Sequence, residues 1–172
     1  MIFSTPSFIF FTFFLLIVYY FWPVNKRELF FVFATTTWYS FSSAKWVLEI
    51  YSYSLVNYLF FIFLTRSKSH KKLLLTISIL LNVSFLIVSK TMGQFPGGLS
   101  FFVLICISLL IAGYKQSITN ISWTRFFNTV FFFPALVSGP VENPKRLGKY
   151  FSELSSLQKD NLIAGGSLLF YG

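Results

Sequence analysis

The chain has 172 residues, of which 55% are hydrophobic, 22% aromatic with 25 Phe, and 11% charged. That excess of apolar surface is too great for one water-soluble core of this size, so the composition predicts a bilayer protein. The net charge of +9 does not indicate nucleic acid, because the basic residues cluster between apolar runs, as lipid headgroups and the positive-inside rule require.

In chain order, the first apolar run covers residues 4–22, long enough at roughly 20 residues to cross the hydrocarbon layer. It lacks a basic leader and a small-residue cleavage site, which predicts a retained helix rather than a secretory signal. Tyr19, Tyr20 and Trp22 form an interfacial aromatic cluster, Pro23 stops the helix, and Lys26, Arg27 and Glu28 follow. The second run, 29–41, is short and Thr-rich. A third covers 46–64 behind Lys45 and Glu49. The most basic loop, with Arg66, Lys68, His70, Lys71 and Lys72, leads into a fourth run over 73–89.

The turn-rich stretch 92–98 contains Pro96, Gly97 and Gly98, which forbid a continuous helix into the fifth run at 99–114. The sixth, 126–137, has about a dozen residues and is predicted to be either short or re-entrant. Irregular backbone carrying Pro134, Ser138, Gly139 and Pro140 follows within that region, and such backbone at membrane depth must lie against other helices or a wet cavity. After Lys145 and Arg146 a polar linker precedes a last apolar piece, 162–172. With the N-terminus outside, the first and third loops hold most of the early Lys and Arg and face the cytoplasm. The expected architecture is one all-α, polytopic membrane domain over 1–172, with five to seven membrane helices.

Polar residues inside apolar spans are costly unless paired, and they mark helix contacts or a path. Asn57, Asn82 and Ser100 are the candidates. Cys106 reads as a small core residue. The single histidine, His70, lies among lysines and serines and reads as solvated or headgroup-facing. The five acidic residues are scattered, so no metal set and no nucleophile with its base is visible.

The order of these features resembles the N-terminal half of the membrane-bound O-acyltransferase (MBOAT) family, in the bacterial branch that acetylates alginate and other exported polysaccharides or D-alanylates teichoic acid. The resemblance runs through Met1-Ile2-Phe3-Ser4-Thr5, Trp38-Tyr39-Ser40-Phe41, Asn57-Tyr58, and Asn82 with Lys90. It continues through Gly98-Leu99-Ser100-Phe101-Phe102 and the block from Phe132 and Pro134 to Gly139-Pro140, ahead of Lys145-Arg146. Two departures are visible. Where the family's fifth helix carries a polar and aromatic series, this chain has Ile105, Ser108-Leu109 and Ala112 before Tyr114-Lys115. The family's catalytic histidine lies in a later half, and His70 does not match it.

The resemblance implies a funnel through the inner membrane where a cytoplasmic acyl donor, acyl-CoA or acyl carrier protein, meets an exported polymer. It implies no bound cofactor. Asn57, Asn82, Ser100, Pro134, Ser138, Gly139 and Pro140 would line or shape the funnel. Lys90, Lys145 and Arg146 would touch headgroups or donor, and a periplasmic or extracellular polymer-modifying partner would receive the product. The catalytic half is expected outside this chain, which on this reading is a fragment or truncated product. A non-enzymatic membrane partner or a degenerate relic is the alternative; a transporter would need an internal repeat, and none is visible.

Overall fold

The computed structural model describes residues 6–23, 26–41, 44–67, 69–91 and 99–131. Among them are six helices and no strands: α1 (Pro6–Phe21), α2 (Arg27–Ser40), α3 (Ala44–Arg66), α4 (Lys71–Thr91), α5 (Leu99–Tyr114) and α6 (Trp123–Phe131). The five expected runs up to residue 114 are each a helix, with bounds within about two residues of those expected. Proline begins α1, where its missing N–H costs nothing. The sixth run starts earlier than expected, at Trp123, and its part beyond Phe131 lies outside the described residues, as does 162–172.

Two of the helices are long and apolar enough to cross a membrane, in the windows Val47–Arg66 and Lys71–Thr91; α1 and α5 are shorter apolar helices. The polarity of the long pair runs opposite to that of a water-soluble bundle. On α3 the outward positions include Leu48, Leu55, Leu59 and Phe63, with Ser52 among them, whereas Ser54 and Asn57 are buried. On α4, Leu73, Leu80, Val83 and Ile87 face outward while Ser78 and Asn82 are buried.

The core forms around α5, which packs on α3, α4 and α6. Leu99, Phe102, Val103, Ile105, Cys106, Leu109, Leu110 and Gly113 are buried along one broad face, as their helical spacing requires, while Leu104 on the opposite side is exposed. At Gly113 the α5 backbone lies against side chains of α3, since an added Cβ would meet the Phe61 ring at 3.0 Å and the Thr65 methyl at 3.4 Å. A small residue there lets α3 and α5 pack. The end of α5 is closed by a Schellman arrangement: Gln116 N–H donates to the Gly113 carbonyl at 3.1 Å and Ser117 N–H to the Ala112 carbonyl at 2.9 Å. Gln116 takes the left-handed position, φ 54°, that glycine usually fills. Its side chain compensates by donating to Gly113 O at 2.9 Å and reaching Leu64 O of α3 at 3.4 Å.

The short helix α6 is buried over six consecutive residues, Phe126, Phe127, Asn128, Thr129, Val130 and Phe131. Its rings interlock with its neighbours. Phe127 stacks on Tyr51 with centroids 4.8 Å apart, Phe131 packs on Phe102 at 4.6 Å, and Phe126 meets Tyr58 at 5.4 Å. Its aromatic face is packed against α2, α3 and α5. The Thr-rich α2 lies beside it. Three of its hydroxyls bond back within the helix: Thr36 donates to Val32 O at 2.7 Å, Thr37 to Phe33 O at 2.9 Å and Ser40 to Thr36 O at 2.8 Å. The buried Thr35 hydroxyl instead reaches the Phe131 carbonyl of α6 at 3.5 Å, and Thr36 also meets the Tyr51 hydroxyl of α3 at 2.7 Å.

Candidate functional site

Two asparagines 25 residues apart in sequence meet where α3 and α4 cross at mid-length. Asn57 and Asn82 are 2% and 3% exposed, and Asn82 Nδ2 donates to Asn57 Oδ1 at 2.7 Å. Each amide also bonds one turn back along its own helix. Asn57 Nδ2 donates to Tyr53 O at 3.0 Å, and Asn82 Nδ2 to Ser78 O at 2.8 Å. The Tyr53 hydroxyl donates to Asn82 Oδ1, while the Cys106 thiol of α5 lies against that same hydroxyl. Phe85, three residues beyond Asn82, stacks on the Tyr53 ring at 4.5 Å.

Helical spacing produces this arrangement. Tyr53 and Asn57, four residues apart on α3, share a face, as do Ser78, Asn82 and Phe85 on α4. The two faces contain one acceptor and one donor each at the crossing, so the polar atoms are spent on one another. Burying amides in apolar surroundings is tolerated on that condition. The cluster holds no carboxylate or imidazole that would serve as a general base. Among the described residues no group of His, Cys, Asp and Glu is placed to hold a metal ion.

A groove of about 430 Å³ opens beside the cluster, between α3 and α4. Tyr53, Asn57 and Asn82 are on its floor; Val56, Leu81 and Phe85 contribute to its sides, and Glu49 stands at one end. Glu49 pairs with Lys45 one turn earlier, at 3.6 Å.

Of the other candidates, Ser100 is half-buried in the first turn of α5 and takes no part in the asparagine bonds. Lys90 is exposed in the last turn of α4, where a cation complements the helix dipole; it is not brought to the cluster. Pro134, Ser138, Gly139, Pro140, Lys145 and Arg146 lie outside the described residues. His70 is exposed in the turn before α4, with φ 60°.

A second polar cluster joins the beginnings of α2 and α6. The Arg125 guanidinium grips Glu28 Oε1 through Nε at 3.0 Å and Nη2 at 2.6 Å. Asn128 Nδ2 donates to the Glu28 carbonyl at 2.8 Å and Thr124 Oγ1 reaches Glu28 Oε2 at 3.4 Å. Glu28 belongs in the first turn of α2, where a carboxylate also favours the helix dipole. Nearby, the Arg27 guanidinium lies 4.5 Å over the Tyr19 ring. The sequence shows these residues only as interfacial charges; their pairing across 97 positions has no local signal. Tyr53 was likewise concealed, as one aromatic among many in an apolar run.

No family model matches the chain, and neither the curated proteins nor the solved structures yield a match.

Proposed function

We propose that these residues form the multi-pass wall of an inner-membrane O-acyltransferase of the MBOAT kind, with five to seven membrane helices and the N-terminus outside. The donor is an acyl-CoA or an acyl carrier protein, and the acceptor a hydroxyl of an exported polymer that a periplasmic or extracellular partner handles. One observation carries the membrane part: the amides of Asn57 and Asn82 are buried and paired while leucine, valine and phenylalanine face outward from the same helices. That distribution suits a solvent of lipid tails, where polar side chains act as helix contacts.

The acyltransfer part rests on the ordered motifs of the sequence. Acyl transfer to a hydroxyl needs a general base near the acceptor oxygen and donors for the oxyanion. Neither the asparagine cluster nor His70 supplies that base, so on this reading the chemistry belongs to a histidine-bearing half encoded downstream or in another chain. The test is to read the adjoining coding sequence, and to assay membranes carrying the 172 residues for transfer of a labelled acetyl group to polysaccharide. An in-frame second half with a histidine in an apolar segment, and transfer only when it is co-expressed, is the expected result. Absence of that half removes the acyltransferase reading.

A non-enzymatic membrane partner in a polymer-modifying complex is the second reading. The mutual saturation of the asparagine amides favours it, since their polar atoms are spent on holding helices together. Stable folding of the chain without any transfer activity, alone or with candidate second halves, distinguishes it.

A further inference from the structure

The groove between α3 and α4 has a feature that the wall role leaves unused. Its sides belong to the outward face: Leu48, Val56 and Leu81 are exposed, so it opens sideways rather than into the helical core. Its floor contains two asparagines and a tyrosine, yet their polar atoms bond to one another, which leaves a surface that is almost entirely apolar. An apolar groove with a few placed polar groups is the usual form of a small-molecule site. Along α3 it extends from Leu48 to Phe60, roughly 18 Å at the helical rise. That slightly exceeds one leaflet's share of the roughly 30 Å hydrocarbon core.

The groove is not uniform along this length. It begins with the Glu49 carboxylate and the Lys45 ammonium one turn before it, 3.6 Å apart and both partly exposed. This places one positive and one negative group at the end of α3 nearer the membrane surface, with the Ser52 hydroxyl one turn on and apolar or mutually bonded groups beyond it. The charges match a headgroup that itself carries a phosphate and an ammonium. A purely anionic headgroup would meet Lys45 but be opposed by Glu49.

We infer that this groove is a lateral binding site for one acyl chain of a zwitterionic glycerophospholipid, with the phosphate at Lys45 and the ammonium at Glu49. The inference rests on the membrane reading of the chain, though not on the acyltransferase reading. Bound lipid fills the groove and joins α3 to α4 along the face that α5 does not cover.

The full chain is extracted in mild detergent from membranes containing phosphatidylethanolamine and phosphatidylglycerol, and retained lipid is identified by native mass spectrometry. One retained phosphatidylethanolamine per chain is expected. Val56→Trp, which fills the groove from an exposed position, abolishes retention, and Leu81→Trp does the same from the opposite side. Leu59→Trp, exposed on α3 but off the groove, leaves it intact. Glu49→Lys turns the preference toward phosphatidylglycerol. Circular dichroism and size exclusion verify folding of each variant. Retention equal in the Val56, Leu81 and Leu59 variants, no headgroup discrimination, or an acyl thioester in place of phospholipid overturns the inference. Release of the chain from membranes by alkaline carbonate overturns the membrane reading instead, and is scored before any lipid is measured.

Discussion

Asn82 donates its side-chain amide to the carbonyl of Asn57 from the neighbouring helix, and each asparagine is anchored one turn back on its own helix. The pair is thus an interhelical contact whose two side chains are each also held by their own helix. Because Tyr53 also donates to Asn82, removing that one side chain leaves both the Asn57 carbonyl and the Tyr53 hydroxyl without this partner. Removing Asn57 takes one partner each from the Asn82 amide, which keeps its bond to Ser78, and from the Tyr53 hydroxyl, which keeps Asn82 and Cys106.

This asymmetry predicts that Asn82→Leu costs more than Asn57→Leu. Interhelical hydrogen bonds in bilayers contribute about 0.6–2 kcal/mol, and a stranded buried polar group adds about 1–3 kcal/mol. Asn82→Leu should therefore destabilise by about 2 kcal/mol and Asn57→Leu by about 1 kcal/mol, with the double variant less than additive. Denaturation in mixed detergent micelles, read as a double-mutant cycle, checks it. Equal and additive losses would show that the two amides do not act as a pair.

The Glu28–Arg125 pair predicts a different pattern. It is partly exposed, so solvent screening limits it, but the two-nitrogen grip on Oε1 and the supporting Asn128 bond hold it in place. Arg125→Gln should destabilise the α2–α6 contact by about 1–2 kcal/mol. The charge swap, Glu28→Arg with Arg125→Glu, should recover only part of the loss: the dipole changes at the starts of α2 and α6 offset one another, but the Thr124 hydroxyl loses the carboxylate that accepts its bond. Thermal unfolding at low and high salt measures both, and the Arg125→Gln loss should shrink as salt rises.

At Gly113 the neighbour decides the outcome. Phe61 is almost wholly buried, so its ring has little room to yield to a Cβ at 3.0 Å. Gly113→Ala should destabilise by about 1 kcal/mol and Gly113→Val by about 2–3 kcal/mol, the ordinary range for overpacking. Phe61→Leu should be costly alone yet relieve the Gly113→Ala strain when combined with it. A Gly113→Ala variant as stable as the parent would mean that α3 and α5 separate readily, and that close packing does not limit this contact.

Helix content was legible in the sequence because bilayer-length apolar runs and Pro or Gly breaks are local signals. The asparagines were legible for the same reason, as amides in runs otherwise made of leucine, valine and phenylalanine. What escaped was pairing. Nothing near Glu28 indicates Arg125, and nothing near Asn82 selects Tyr53 as its third partner, because these contacts follow from helix rotation and crossing. The groove escaped too, since it exists only when the two outward faces of α3 and α4 stand side by side. Ser100, also a polar residue in an apolar run, sits half-buried at a helix start apart from the asparagine pair.

Topology supplies the last prediction. Gln116 after α5 reaches Leu64 O at the end of α3, Tyr58 bonds Ile121 O before α6, and Arg125 at the start of α6 grips Glu28 at the start of α2. These bonds gather the beginnings of α2 and α6 with the ends of α3 and α5 on one side. Arg27, Arg66, Lys71, Lys72, Lys115 and Arg125 therefore share one end, against Lys45 and Lys90 near the other. On the membrane reading proposed above, the positive-inside rule predicts that the crowded end faces the cytoplasm. A reporter fused after His70 should give a cytoplasmic signal, and one fused after Thr91 a periplasmic signal. The reverse pair of signals would invert the chain in the membrane and place the Lys45–Glu49 end of the groove in the inner leaflet. Removing Arg66, Lys71 and Lys72 together should weaken the bias, producing mixed signals from both fusions.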